Sequence, residues 1–279
     1  MSPFLSRTCV SEHKFPGLVL VSSWTGGGVV ERGWLGAYIG RPGSYADLNE
    51  GWFRVTEHQD QLIQAIAKND AFRVQALIHE DPAVLKSRDR EGRTPLMLCL
   101  YFGHEDLAHL VRERHPDPDF FELVALGDTE AVREVLARAP KEANAVAPDG
   151  FSVLGLAAFF GRTQTAEALL DAGADPDTPA ANSFHVRPIH SAAANRKGEE
   201  SYALCKLLLE KGANPNVRQA GGWTPLHQAA AHGRKAGVEL LLAHGAEASA
   251  KSADDRTPAQ MAEAKGHDEI RALLLDRET

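Results

Sequence analysis

Few residues in this chain could do chemistry, and their spacing decides against most of them. His104-Glu105-Asp106-Leu107-Ala108-His109 places two imidazoles around carboxylates, the residue types of a zinc hydrolase. That chemistry needs histidines at i and i+4 on one helix face. Here they stand at i and i+5, so on a helix they diverge by about 140°. His190 and His227 each fall at the third position of a candidate helix, where a side chain reaches back to the capping residue and does structural work. Gly26-Gly27-Gly28 runs on to Glu31, not to the last glycine of a dinucleotide loop, and no Gly-Lys-Ser/Thr phosphate loop, Gly-x-Ser-x-Gly elbow or Cys-x-x-Cys pair occurs. Asp89, Asp149, Asp254 and Asp255 lie among turn-forming residues, which explains carboxylates there without catalysis.

Composition narrows the partners. The net charge of −8, with no run of Lys or Arg, argues against nucleic acid and anionic membrane. No apolar run approaches the ~18 residues of a membrane span. Cys9, Cys99 and Cys205 are an odd set at wide spacing, two of them inside apolar helical patterns, as expected of reduced core thiols in a cytoplasmic protein. The expectation is a non-enzyme without cofactor or metal.

The elements that hold these residues recur. Thr224-Pro225-Leu226-His227 offers an N-cap, a proline at the first helical position and a histidine reaching back. Gly233 ends that helix, and Val238, Leu241 and Leu242 form the face of a second one closed by Gly245. Two helices this short are marginal alone and need neighbours. Thr257-Pro258-Ala259-Gln260 repeats the first motif after 33 residues, and Gly245-Ala246 follows Gly212-Ala213 at the same spacing. Arg187-Pro188-Ile189-His190, Ser152-Val153-Leu154-Gly155 and Thr94-Pro95-Leu96-Met97 are earlier copies. On these motifs and this period the chain resembles the ankyrin-repeat family from about residue 57 to 279. Asp149-Gly150-Phe151, Leu156-Ala157-Ala158-Phe159-Phe160-Gly161 and Gly222-Trp223-Thr224 look most like bacterial cytoplasmic members.

The resemblance implies an all-α solenoid of about seven helix-turn-helix repeats with β-hairpin fingers along one edge and the first helices lining a concave face. The first repeat, from Glu57, lacks the Thr-Pro-Leu-His motif, as terminal repeats often do. From Gly103 to Gly127 is only 24 residues, so the finger between the second and third repeats should be truncated. From His190 to Gly212 is 22 residues against 18 from His227 to Gly245, which places about four extra residues near 195–199. Residues 1–56 differ: nine of the 24 glycines and three of the four tryptophans (Trp24, Trp34, Trp52) lie there, and no repeat is visible. A hairpin of Leu18-Val19-Leu20-Val21 and Val29-Val30 is one reading of this irregular segment. Another is that residues 1–54 precede the natural start, since Val55 can be a GTG start and Glu50-Gly51 can be encoded by a ribosome-binding sequence.

By resemblance the function is protein–protein interaction by a monomeric scaffold. Positions that face solvent in this family carry Arg93, Phe151, Trp223 and Arg256 in the fingers. At the ends of the first helices they carry Tyr101 and Phe102, Phe159 and Phe160, and Ala231 and His232. Aromatic and Arg residues at rigid positions are those that anchor interfaces, so this exposed stripe is the expected partner site. Phe102 and Phe160 directly precede turn glycines and equally suit packing on the adjacent repeat. A secreted, host-directed effector would use the same surface. A ligand-binding or enzymatic role would need a site in residues 1–56 or at the truncated finger.

Overall fold

The computed structural model describes residues 57–195 and 197–277. The candidate hairpin, the three early tryptophans, Cys9 and the upstream start lie outside them. Among the described residues there are fourteen α-helices and no strands, in seven successive pairs: α1 (Glu57–Ala67) and α2 (Ala71–Glu80), α3 (Pro95–Tyr101) and α4 (Glu105–Arg114), α5 (Phe120–Leu126) and α6 (Thr129–Arg138), α7 (Val153–Phe159) and α8 (Thr163–Asp171), α9 (Pro188–Ala194) and α10 (Gly198–Glu210), α11 (Pro225–Ala231) and α12 (Lys235–Ala243), α13 (Pro258–Ala264) and α14 (Asp268–Leu275). The first helix of each pair packs on the first helix of the next.

The first helices after α1 are seven residues long, and those from α3 to α11 are buried nearly all round because each is held between two neighbours, whereas α13, with a first-helix neighbour on one side only, leaves Gln260, Glu263 and Ala264 exposed. Alanines such as Ala157, Ala158, Ala192, Ala193, Ala229 and Ala230 let the helices approach, while Leu154, Leu156, Ile189 and Leu226 fill the space between them. The second helices bury one face only, as Val238 and Leu241 do while Leu240 and Leu242 are half-buried. Cys99 and Cys205 are free, buried thiols, and burial pushes both up to about 12.

The fingers are turns without paired strands. Each is closed by one bond from its first N–H to its fifth carbonyl: Asp89 to Arg93 at 2.9 Å, Ala147 to Phe151 at 2.8 Å, Gln219 to Trp223 and Ser252 to Arg256 at 3.0 Å. The fourth residue is left-handed, Gly92, Gly150 and Gly222 at φ 80°, 88° and 73°, and in the last finger Asp255 at 59°. The helix starts two residues beyond the closing carbonyl, which leaves no length for a ladder. Among the described residues a single isolated bridge, Val146 with Ser152, is all that forms. Neighbouring tips are tied instead: Ala181 N–H donates to Gly150 O at 2.7 Å, Ala220 to Phe184 at 2.9 Å and Ala253 to Gly221 at 2.8 Å.

The two irregularities fall where the spacing placed them, one with an addition. No finger separates α4 from α5, which are joined by residues 115–119. The insertion after Asn195 becomes an extra turn of α10, 13 residues long. A further lengthening lies in the preceding finger, closed by Ala180 N–H to Val186 O with His185 at φ 49°.

Candidate partner-binding surface

The histidines of the repeated motif are struts. His227 Nε2 donates to Arg256 O in the next finger at 2.9 Å, so Nδ1 is the acceptor and takes Thr224 N–H at 3.2 Å and the Thr224 hydroxyl at 2.8 Å. His190 does the same between Arg187 N–H, at 3.2 Å, and Trp223 O, at 3.0 Å. Burial lowers both side chains, His190 to about 4, and holds them neutral. Each strut therefore sets the finger that follows it, including the Trp223 and Arg256 backbones.

In the third repeat Glu122 has the histidine's place, capping Asp119 N–H at 2.8 Å. It is 1% exposed and is compensated by the Thr94 hydroxyl at 2.5 Å and His115 Nε2 at 3.1 Å. Arg88 pairs with Asp119 at 2.8 Å. This polar joint fills the position of the missing finger.

The aromatic residues converge across that joint. Tyr101 lies 5.4 Å from Phe159 and 5.0 Å from Phe160, ring to ring, although a whole repeat intervenes in sequence. Phe159 meets Phe160 edge-on at 5.1 Å and Phe151 at 6.4 Å. Arg93, held to Asp89 through Nε at 2.7 Å and Nη2 at 2.6 Å, stands 5.8 Å over the Tyr101 ring. Tyr101 Oη donates to Asp149 Oδ2 at 2.7 Å. Burial first, and then the Asp149 charge, raise its phenol well above the usual 10.0, so it stays the donor.

The expected stripe is therefore gathered and partly covered. Of its aromatic rings Phe159, at 37%, is the exposed one, while Tyr101, Phe151, Phe160, Phe102 and Trp223 are half-buried. Phe102 packs on the core of the first two repeats and Phe160 on that of the later ones, the packing role their place before a turn glycine allows. Trp223 contacts the His227 ring at 5.9 Å, and among the described residues no ring contact joins it to the Phe159 cluster. His232 is half-buried and Arg256 exposed. The reason for the covering is the absent third finger, which lets Tyr101 lean onto the fourth repeat. Sequence reasoning passed over Phe72 on α2 (84% exposed), Phe184 at the tip of the long finger (43%) and Tyr202 on α10 (40%). Phe184 had a signal, since it sits between Asn182-Ser183 and His185 in a stretch of turn formers.

Comparison with known proteins decides the family. The profile described as ankyrin repeats, in three copies, matches residues 120–219 and 189–279. The chain belongs to the ankyrin-repeat family. Among relatives of this ankyrin-repeat protein is the probable 26S proteasome regulatory subunit p28 of Saccharomyces cerevisiae, 30% identical over 186 residues, which cover 62% of this chain and 79% of that one. The neurogenic locus Notch protein of Drosophila melanogaster is 28% identical over 207 residues, 70% of this chain but 7% of Notch. The E3 ubiquitin-protein ligase Ufd4 of the same fly is 32% identical over 102 residues, 37% of this chain and 3% of the ligase. Ankyrin repeats are protein-interaction modules, and among the described residues no helix is long and apolar enough to cross a membrane.

Proposed function

We propose that this ankyrin array is a non-catalytic, monomeric scaffold of the cytoplasm that binds a protein partner through its fingers and the ends of its first helices. The anchors are Phe159 with Phe151 and Tyr101, flanked by Arg93, and separately Trp223 with His232 and Arg256. The observation that carries this reading is the Phe159 cluster: four aromatic rings and an arginine packed together, with one ring open to solvent. Aromatic side chains already packed in this way lose little freedom on binding and are the usual anchors of an interface. The likeness to a probable proteasome regulatory subunit supports a partner that is itself part of a larger assembly. The buried free thiols support a reducing compartment.

Phe159→Ala and Trp223→Ala test the assignment. Each should lower the melting temperature by only a few degrees, the size of a ~1 kcal/mol effect in an array this long. Each should also weaken capture of the partner from native lysate by crosslinking and mass spectrometry. Undiminished capture by both variants, with both folded, overturns the assignment.

A further inference from the structure

In a solenoid each repeat touches only its neighbours, yet here the second repeat grips the fourth. Besides the Tyr101–Asp149 bond, the tip of the second finger lies on the fourth: a Cβ placed on Gly92 would stand 2.4 Å from the Pro148 Cβ. At the same place the apolar core divides. One buried cluster runs from Leu62 to Val111 through α1–α4, and another from Met97 to Leu274 through the later repeats. Only α3 gives buried side chains to both, Leu96, Leu98 and Cys99 to the first and Met97 to the second. The second helices pack on one another in sequence from α6 to α14, but among the described residues neither α2 and α4 nor α4 and α6 share comparable packing. What spans the joint is the α3–α5 contact, the Thr94–Glu122–His115 and Arg88–Asp119 polar groups, and the grip on the fourth repeat.

We propose that the joint between the second and third repeats is a hinge, and that the Tyr101–Asp149 bond with its aromatic cluster is a clasp that holds α1–α4 closed against the rest of the array. The truncated finger creates the device in both senses. It removes the finger whose tip would be tied to its neighbours as the later fingers are, and it brings Tyr101 within reach of a repeat that a full finger would screen. Releasing the clasp lets α1–α4 open and unfold as a unit, because their core is separate from that of the later repeats and loses the support it takes from them. A hydrogen bond to a half-buried carboxylate is among the stronger single interactions available there.

Hydrogen–deuterium exchange on the full chain, without any partner, tests this independently of the binding role. Tyr101→Phe removes the donor and keeps the ring. Amides of Ile66, Val74, Leu98 and Val111 should exchange about tenfold faster, and those of α7, α9, α11 and α13 should not change. Asp149→Asn should give a smaller change in the same helices, since the acceptor oxygen remains. Asn216→Ala, which breaks a strut to Gly245 and Glu247, should loosen the last repeats and leave α1–α4 as they were. Faster exchange throughout the array in Tyr101→Phe, or no change in α1–α4, overturns the clasp. Loosening of α1–α4 by Asn216→Ala overturns the hinge.

Discussion

Asp177→Asn should stabilise the array. Three equivalent side chains tie the end of one repeat to the loop of the next. Asn144 Nδ2 donates to Gly173 O at 2.9 Å while its Oδ1 accepts Asp175 N–H at 2.8 Å, and Asn216 makes the same pair with Gly245 O at 2.8 Å and Glu247 N–H at 2.9 Å. Asp177 stands between them and can only accept: both its oxygens take Asn214 N–H, at 3.2 and 3.1 Å. Gly212 O, in the place of Gly173 O and Gly245 O, receives nothing from an ionised carboxylate. Burial raises the Asp177 carboxyl above its usual 3.8, with Asp175 adding to this against Asn214 N–H and Arg187. A folded-state pKa above the unfolded one means that stability is present below the unfolded value and is lost as pH rises through the folded value. At neutral pH the charged Asp177 is thus a liability, and Asn removes it while adding one donor. One added hydrogen bond contributes about 1 kcal/mol, or roughly 2–4 °C in melting temperature for an array of this size. Calorimetric melts of both proteins at pH 7 and at pH 3 provide the assay. The gain should be larger at pH 7 than at pH 3, where Asp177 is itself protonated. An unchanged or lower melting temperature at pH 7 refutes the strut assignment.

Acid should act on the fifth to seventh repeats through the histidine struts. His190 titrates at 6.5 when unfolded and at about 4 when folded, so its contribution is complete above 6.5 and falls as pH drops from 6.5 toward 4. At pH 5 the loss is about 2 kcal/mol, and His227 adds in the same direction. Urea midpoints should therefore fall between pH 7 and pH 5 for the wild type and less so for His190→Gln; equal slopes would count against buried neutral struts. Leu241→Ala, at a fully buried position of α12, should cost about 2–5 kcal/mol. It should loosen the fifth to seventh repeats together while the first to third hold, and exchange that rises uniformly in every helix would contradict this.

The repeated local signals made the fold legible. Thr94, Ser152 and Thr257 cap the helices their positions promised, and the left-handed Gly103, Gly127, Gly161, Gly212 and Gly245 stand at the predicted ends. Local spacing also located the missing finger and the insertion, because both change a count along the chain. The long finger of residues 180–186 escaped notice, since the spacing was measured from His190 onward and not from Ser152 to Arg187, which is 35 residues. The candidate site was less legible. A family pattern assigns Tyr101, Phe102 and Phe160 to a face, but whether that face is open depends on the neighbours, and here a deleted finger folds Tyr101 onto Phe159. Contacts such as Tyr101 with Asp149, 48 residues apart, leave no periodic trace.

A photo-crosslinking residue placed at Phe159, and in a second protein at Glu134 on the exposed face of α6, separates a partner site on the fingers and first helices from one elsewhere on the array. One discrete protein should crosslink from position 159 in native lysate and not from position 134, and Trp223→Ala should diminish that crosslink. Equal crosslinking from both positions, or from 134 alone, would contradict a partner site built on the fingers and first helices.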